Sequence, residues 1–243
     1  MTKTIVANWK MLPDTIEQAE ALMQRVAEYV RTLEAQTMDI VVCPQESYLE
    51  RIGKLIGESG IALGAQDVGV SSRELADADV RFVLIGHSDR RWKAGDSDEI
   101  TNAKLKEALR AGLTPIVCFG ERTRDQGWEA ALAAQTVATL AGLTEGQIAQ
   151  CRIAYEPVWA ISTNPDAKPD TPASAVQSMN HIRETIADHF DVSQTTYLYG
   201  GSVTPDNVAS FLERSEVSGV LVGGASVRSD DFCRILTIAS TIV

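Results

Sequence analysis

The sequence predicts an α/β protein that folds as a single (β/α)₈ barrel over residues 1–243. Three observations support this prediction: eight short apolar runs, helical periodicity between them, and a length of 243 residues without a composition break or a Gly/Ser linker. A barrel of this class takes about 250 residues in one domain. The competing open sheet usually has fewer strands and, where it binds nucleotides, a glycine fingerprint after its first strand. Here that place reads NWKMLP, which favours the barrel.

The apolar runs are the predicted strands. Each run is continuous rather than alternating, as expected of parallel strands that are buried on both faces. The eight predicted strands cover residues 4–9, 39–43, 61–65, 81–86, 113–120, 152–156, 195–200 and 217–224.

The stretches between the strands contain the predicted helices. Apolar residues recur at helical spacing in residues 16–33, 100–111, 128–140, 173–190 and 207–212. Three helix starts carry capping residues: Asp14 or Thr15, then Asp98, then Thr171 before Pro172. Because strands and helices alternate, we expect the catalytic residues just after the strands, at the carboxyl-terminal face of the barrel.

The charge of the chain limits its partners. A formal net charge of -11 argues against nucleic acid and against an anionic membrane surface, since the average field repels both. A small phosphorylated substrate remains compatible with this charge, because backbone N–H groups and one or two well-placed cations can bind it.

The cysteines and the N-terminal residues indicate a cytoplasmic protein. Cys43, Cys118, Cys151 and Cys233 are widely separated, with no C-x-x-C pair, which favours reduced core residues over a zinc site or a redox pair. The segment MTKTIVANWK has no hydrophobic stretch typical of a signal peptide. No apolar run approaches the roughly 18 residues of a membrane span.

Polar residues follow the first and fourth predicted strands. Asn8 and Lys10 lie on the same side of an extended segment, so an amide and an ammonium can converge on one anionic, carbonyl-bearing ligand. A lone lysine is otherwise usually a solvated charge. His87 begins a polar cluster, and a short helical turn after it would favour a neutral imidazole that donates to a carbonyl. The alternative is a structural histidine.

The sixth strand ends in a candidate base. Glu156 follows the apolar residues IAY, and desolvation there would raise its pKa and make it a stronger base. The alternative is a salt-bridged glutamate. The apolar segment PVWAI that follows is unusual for an exposed loop and is predicted to act as a lid.

Glycine pairs follow the seventh and eighth strands. One is Gly200-Gly201 before Ser202, and the other is Gly223-Gly224. One such pair alone indicates only a turn. Together, on the last two strands of a barrel, they predict phosphate binding through backbone N–H groups.

These motifs resemble those of the triosephosphate isomerase family. The resemblance rests on NWKM (8–11), IGHSDRR (85–91), AYEPVWAI (154–161), YGGSV (199–203) and LVGGAS (221–226), joined by CFGE (118–121), in this order and spacing over nearly the whole chain. It implies a TIM barrel that interconverts dihydroxyacetone phosphate and D-glyceraldehyde 3-phosphate through an enediol intermediate, without a metal or an organic cofactor.

The resemblance also implies a role for each residue. Glu156 moves the proton between adjacent carbons, His87 shuttles protons at the oxygens, and Lys10 with Asn8 stabilises negative charge, supported by Asp89. The phosphate-binding residues implied are Ser162, Ser202, Gly223 and Gly224. The lid residues implied are Pro157, Val158, Trp159, Ala160, Ile161 and Thr163.

The sequence departs from the family pattern at four places, and one of them, Leu12-Pro13 in place of polar residues after the first motif, carries no predicted effect. After Ala65-Gln66 the family has a long loop that inserts into a neighbouring subunit, whereas residues 67–72 are too few to project, so we expect a monomer or an atypical homodimer. Asp89 replaces a glutamate and, one methylene shorter, is expected to fall short of the Lys10 and Asn8 region. The lid reads STNP (162–165) in place of Gly-Thr-Gly-Lys, and Pro165 and Pro169 are expected to restrict the far hinge.

Two alternatives stay open at this point. One is an isomerase of another small aldose or ketose phosphate, with a pocket enlarged by the short third loop. The other is a phosphate-binding barrel with low turnover, which the joint presence of Lys10, His87 and Glu156 argues against.

Overall fold

The computed structural model describes residues 2–33, 38–57, 59–69, 72–161, 167–191 and 195–242. Its strands form one closed, parallel barrel in the order of the chain, with the first and last strands paired. They are β1 (Lys3–Asn8), β2 (Met38–Cys43), β3 (Ile61–Ala65), β4 (Phe82–Ile85), β5 (Thr114–Phe119), β6 (Arg152–Tyr155), β7 (Thr196–Tyr199) and β8 (Gly219–Val222). The predicted (β/α)₈ barrel and its eight strands are therefore confirmed.

Helices surround this barrel. The described α-helices are α1 (Ile16–Thr32), α2 (Leu49–Ile56), α3 (Ser72–Asp77), α4 (Asp98–Arg110), α5 (Trp128–Leu140), α6 (Glu145–Ala149), α7 (Pro172–Ala187), α8 (Val208–Leu212) and α9 (Ser229–Thr241). No helix in this part of the chain has the length and apolar character that crossing a membrane requires.

The predicted helix starts need one correction. Thr15 caps α1 by accepting a bond from the N–H of Gln18, and Thr171 caps α7 just before Pro172, as expected. Helix α4, however, is capped by Ser97, and Asp98 is its first residue. Both residue types cap helices, so the sequence did not distinguish these two neighbours.

Alternation along each strand divides the core into two parts. An inner cluster fills the barrel with side chains from all eight strands: Val6, Val41, Cys43, Ala62, Phe82, Leu84, Ile116, Cys118, Ala154, Leu198 and Leu221. The other strand residues pack outward against the helices in a larger cluster. Because both faces are buried, the strands hold the residues that follow them in fixed positions.

Candidate active site

The predicted catalytic residues meet at the carboxyl ends of β1, β4 and β6. Asn8 ends β1, His87 follows β4 after one glycine, and Glu156 follows β6 directly. All three are buried, with 3%, 5% and 2% of their surface exposed. Together with Lys10 they line a cavity of about 180 Å³. The sequence therefore identified residues that the fold brings together.

Glu156 is held by its backbone and by its carboxylate. Its N–H donates to the carbonyl of Phe119 at 2.7 Å, and a Cβ on Gly120 would overlap the Glu156 carbonyl. Oε2 accepts a bond from the N–H of Ser88 at 3.0 Å, and Oε1 lies 3.0 Å from His87 Nε2. The carboxylate is thus aimed at the residue that is expected to act with it.

The pKa of Glu156 corrects one expectation. Burial raises this pKa, as the sequence predicted. The neighbouring His87 ring, the Lys10 ammonium and the Ser88 N–H together lower it by more than burial raises it. The net effect is a pKa below the ordinary value. Without ligand, Glu156 is therefore a carboxylate at neutral pH.

The His87 ring has a defined orientation. Its Nδ1 accepts a bond from the backbone N–H of Asp89 at 3.1 Å, so the neutral ring carries its proton on Nε2. That atom lies 3.1 Å from Asn8 Nδ2 as well as close to Glu156. A short π-helical turn, Asp89–Lys93, follows the ring, in agreement with the helical turn expected from the sequence.

Asp89 reaches Lys10, contrary to expectation. Its Oδ2 lies 3.2 Å from Lys10 Nζ, and Lys93 binds Oδ1 at 2.6 Å. The Asp89 N–H also donates to His87 Nδ1 at 3.1 Å, so the backbone and the side chain of Asp89 both contact the site. Burial raises the pKa of Asp89, but Lys93, Lys10 and His87 lower it to about 2.

The glycine pairs form another wall of the same cavity. Gly200, Gly201, Ser202, Gly223 and Gly224 all line it. A Cβ on Gly224 would meet nothing, and one on Gly223 would approach only Lys10 Cε, at 3.7 Å. The small residues leave room for a ligand beside the lysine.

The arginine Arg228 also lines this cavity and was not identified from the sequence. Its Nη1 donates to the carbonyl of Gly224 at 3.1 Å, and its Nε pairs with Asp231. Its position in the sequence, four residues after Gly224, could have indicated a cation near the predicted phosphate-binding residues. Of the predicted phosphate and lid residues, Ser162 and Thr163 lie outside the described residues.

The predicted lid begins in a buried segment. Val158–Ala160 forms a short 3₁₀ turn, and Pro157 and Ala160 are buried. Ile161 lines the cavity. This packing explains the apolar sequence.

Glu121 fixes that segment and is a residue whose role the sequence did not reveal. Its Oε1 accepts bonds from Trp159 Nε1 at 2.9 Å, from the Tyr155 hydroxyl at 2.8 Å and from Arg124 Nη1 at 2.9 Å. Its carbonyl accepts the N–H of Val158 at 3.1 Å. The only signal was its place two residues after the end of β5, in CFGE.

The arrangement is suited to proton transfer next to a carbonyl. A carboxylate, a ring N–H and an ammonium face one small cavity, so a base and two electrophiles are available together. No group of His, Cys, Asp and Glu side chains within the described ranges could hold a metal ion. Barrel and site together define a sugar-phosphate isomerase class of protein, acting by acid–base chemistry.

Comparison with known proteins identifies the family. The family model for triosephosphate isomerase matches residues 3–239. The chain is 39% identical over 254 residues to triosephosphate isomerase of Roseiflexus sp. (strain RS-1), covering 97% of this chain and 96% of the relative. It is 38% identical over 248 residues to the enzyme of Chloroflexus aurantiacus, covering 96% and 97%. The crystal structure of triosephosphate isomerase from Bartonella henselae matches with a TM-score of 0.83 at 30% identity, covering 98% and 99%. The chain belongs to the triosephosphate isomerase family.

Proposed function

We propose that the protein is an aldose–ketose isomerase that interconverts dihydroxyacetone phosphate and D-glyceraldehyde 3-phosphate through an enediol intermediate. The observation that carries this proposal is the pair formed by Glu156 Oε1 and His87 Nε2, 3.0 Å apart, in a cavity that two glycine pairs also line. The family to which the chain belongs supports the same reaction.

Glu156 acts as the base in this proposal. When substrate enters between Glu156 and His87, the Nε2–H of His87 donates its hydrogen bond to a substrate oxygen instead of to Glu156. Glu156 then loses its contact with His87, the largest of those that lower its pKa, while it stays buried, so its pKa rises and it becomes a stronger base. It removes a proton from one carbon and returns it to the neighbouring carbon.

Lys10 and His87 stabilise the intermediate. As the proton leaves, negative charge develops on the carbonyl oxygen, and a ring N–H and an ammonium that are already in place lower the energy of that state. Asn8 orients this side of the site, since its Oδ1 accepts the Lys10 N–H at 3.0 Å. Asp89 holds the lysine side chain.

Phosphate binding and closure complete the proposal. Ser202, Gly223 and Gly224, together with Ser162, bind the phosphate. The lid, residues 157–161 and Thr163, covers the site and excludes water, because an enediol phosphate exposed to solvent can eliminate phosphate.

The test is turnover of D-glyceraldehyde 3-phosphate in a coupled assay, with erythrose 4-phosphate and ribose 5-phosphate as rival substrates. We expect turnover of the triose phosphate alone. Turnover of a longer sugar phosphate in its place, or binding of all three without turnover, would contradict the proposal.

We further propose a monomer, or a homodimer that uses a surface other than the third-strand loop. Only residues 66–71 separate β3 from α3. Light scattering with hydrogen exchange tests this: a dimer whose interface protects that loop from exchange would contradict it.

A cytoplasmic location is also proposed, without nucleic acid or membrane partners, in keeping with the net charge of -11 and with four free cysteines. Cell fractionation tests it.

A further inference from the structure

Lys10 has an unusual backbone conformation. Its φ is +53°, and among the described residues other than glycine only Asp79 shares a positive φ. A side chain with a Cβ is disfavoured in this region, so other contacts must maintain it. One contact is the bond from the Lys10 N–H to Asn8 Oδ1.

The second contact comes from Gln66, the residue that follows β3. Its Nε2 donates to the carbonyl of Lys10 at 2.7 Å and to the carbonyl of Cys43, the last residue of β2, at 3.1 Å. Both hydrogens of the amide are therefore used. The segment that carries Lys10 is tied through this amide to the ends of two strands.

A cluster of four charges lies next to Gln66. Asp67 Oδ2 lies 2.7 Å from Lys104 Nζ and 2.9 Å from Arg90 Nε. Asp96 Oδ2 lies 2.6 Å and 3.2 Å from the same two atoms. The two carboxylate side chains are 17% and 9% exposed, so solvent screens the cluster less than it screens surface ion pairs.

The four-charge cluster connects the residue that binds the Lys10 backbone with the residue that binds the Lys10 ammonium. Arg90 belongs to the turn that also carries Asp89, and Asp89 binds Lys10 Nζ. Gln66, adjacent to Asp67, binds the Lys10 carbonyl. The cluster thus fixes the distance between the group that holds the lysine backbone and the group that holds its ammonium.

We propose that Gln66 is a positioning residue for Lys10, and that the four-charge cluster holds Gln66 and Asp89 at a fixed distance from each other on either side of it. The proposal rests on the proposed function, since it requires Lys10 to contact substrate. It assigns to Gln66 a role in activity without contact with substrate.

The test is a double-mutant cycle with Gln66→Met and Lys10→Met. Methionine has nearly the length of glutamine but no donors. We measure kcat/KM for D-glyceraldehyde 3-phosphate and, by calorimetry, the Kd of 2-phosphoglycolate. In the wild-type background, Gln66→Met is expected to lower kcat/KM about 10- to 100-fold, because a misplacement near 1 Å has effects of this size. In the Lys10→Met background, Gln66→Met is expected to change kcat/KM and the Kd of 2-phosphoglycolate by less than about twofold.

Two further variants separate positioning from general stability. Gln45→Met removes a similar bond, from its Nε2 to the carbonyl of Pro13 at 2.9 Å, and is expected to keep wild-type kcat/KM. Asp67→Asn weakens the four-charge cluster and is expected to act like a milder Gln66→Met, again only when Lys10 is present. Thermal melting confirms that each variant is folded.

Equal losses from Gln66→Met in both backgrounds, or equal losses from Gln45→Met, would overturn the proposal in favour of a structural role. No loss from Gln66→Met would also overturn it. Absence of turnover by the wild-type protein would instead refute the proposed function, and the Kd cycle would still report whether Gln66 acts through Lys10.

Discussion

The ion pair between Asp89 and Lys10 gives a prediction about stability. The Asp89→Asn substitution keeps the shape of the side chain and removes its charge. The pKa of Asp89 falls from an ordinary 3.8 to about 2 in the folded protein, despite burial, through Lys93, Lys10 and His87. At 1.36 kcal/mol per pKa unit, this difference corresponds to at most about 2 kcal/mol of folding free energy.

Solvent reduces that figure. The Asp89 side chain is 30% exposed, so the charges around it are partly screened, and we expect about 1 to 2 kcal/mol at neutral pH. A group with a lowered pKa stabilises the fold above its unfolded-state pKa and loses that contribution as the pH falls through its folded-state pKa. The difference between wild type and variant should therefore be constant above about pH 5 and shrink between about pH 4 and 2.

Urea unfolding of both proteins at a series of pH values measures this difference. Asp206→Asn is the control, because Asp206 pairs with Arg234 at an exposed site and its loss should have little effect at any pH. A difference between wild type and Asp89→Asn that is as large at pH 3 as at pH 7 would refute the reasoning.

Three further outcomes are expected. Trp159→Phe removes the donor to Glu121 Oε1 and should lower kcat/KM several-fold with little change in melting temperature; an unchanged kcat/KM would show that this bond does not matter for activity. Gly120→Ala places a Cβ against the Glu156 carbonyl and should lower the melting temperature sharply, with Gly146→Ala, where the Cβ meets nothing, as control. In the native protein a thiol reagent should modify only the half-buried Cys233 quickly, because the other three thiols are buried; burial raises the pKa of all four, but only Cys233 is accessible, and rapid reaction of more than one thiol would contradict this.

The barrel was predictable because the residue patterns that specify its strands and helices are local in the sequence. Strands buried on both faces require continuous apolar runs, and helices that cover them require helical periodicity, so both patterns are visible along the sequence. The positions of the candidate catalytic residues were predictable for the same reason, since Asn8 ends β1, His87 follows β4 after one glycine and Glu156 follows β6 directly.

Contacts between distant segments were not predictable. Glu121 binds the Tyr155 hydroxyl and Trp159 Nε1, which lie 34 and 38 residues away along the chain, and the register of β5 against β6 brings them together. The pKa of Glu156 depends on the His87 ring and the Ser88 N–H, whose distances the sequence does not contain. The reach of Asp89 depends in the same way on the turn that begins at that residue.

The central claim is that Glu156 transfers the proton in the isomerisation of a triose phosphate. The most direct measurement compares kcat for D-glyceraldehyde 3-phosphate between wild type, Glu156→Gln and Glu213→Gln. Glu213→Gln is the control, because Glu213 is an exposed residue at the carboxyl end of α8. The account predicts that Glu156→Gln loses about 10²- to 10⁴-fold or more in kcat while Glu213→Gln equals wild type. A folded Glu156→Gln variant with wild-type kcat would contradict it.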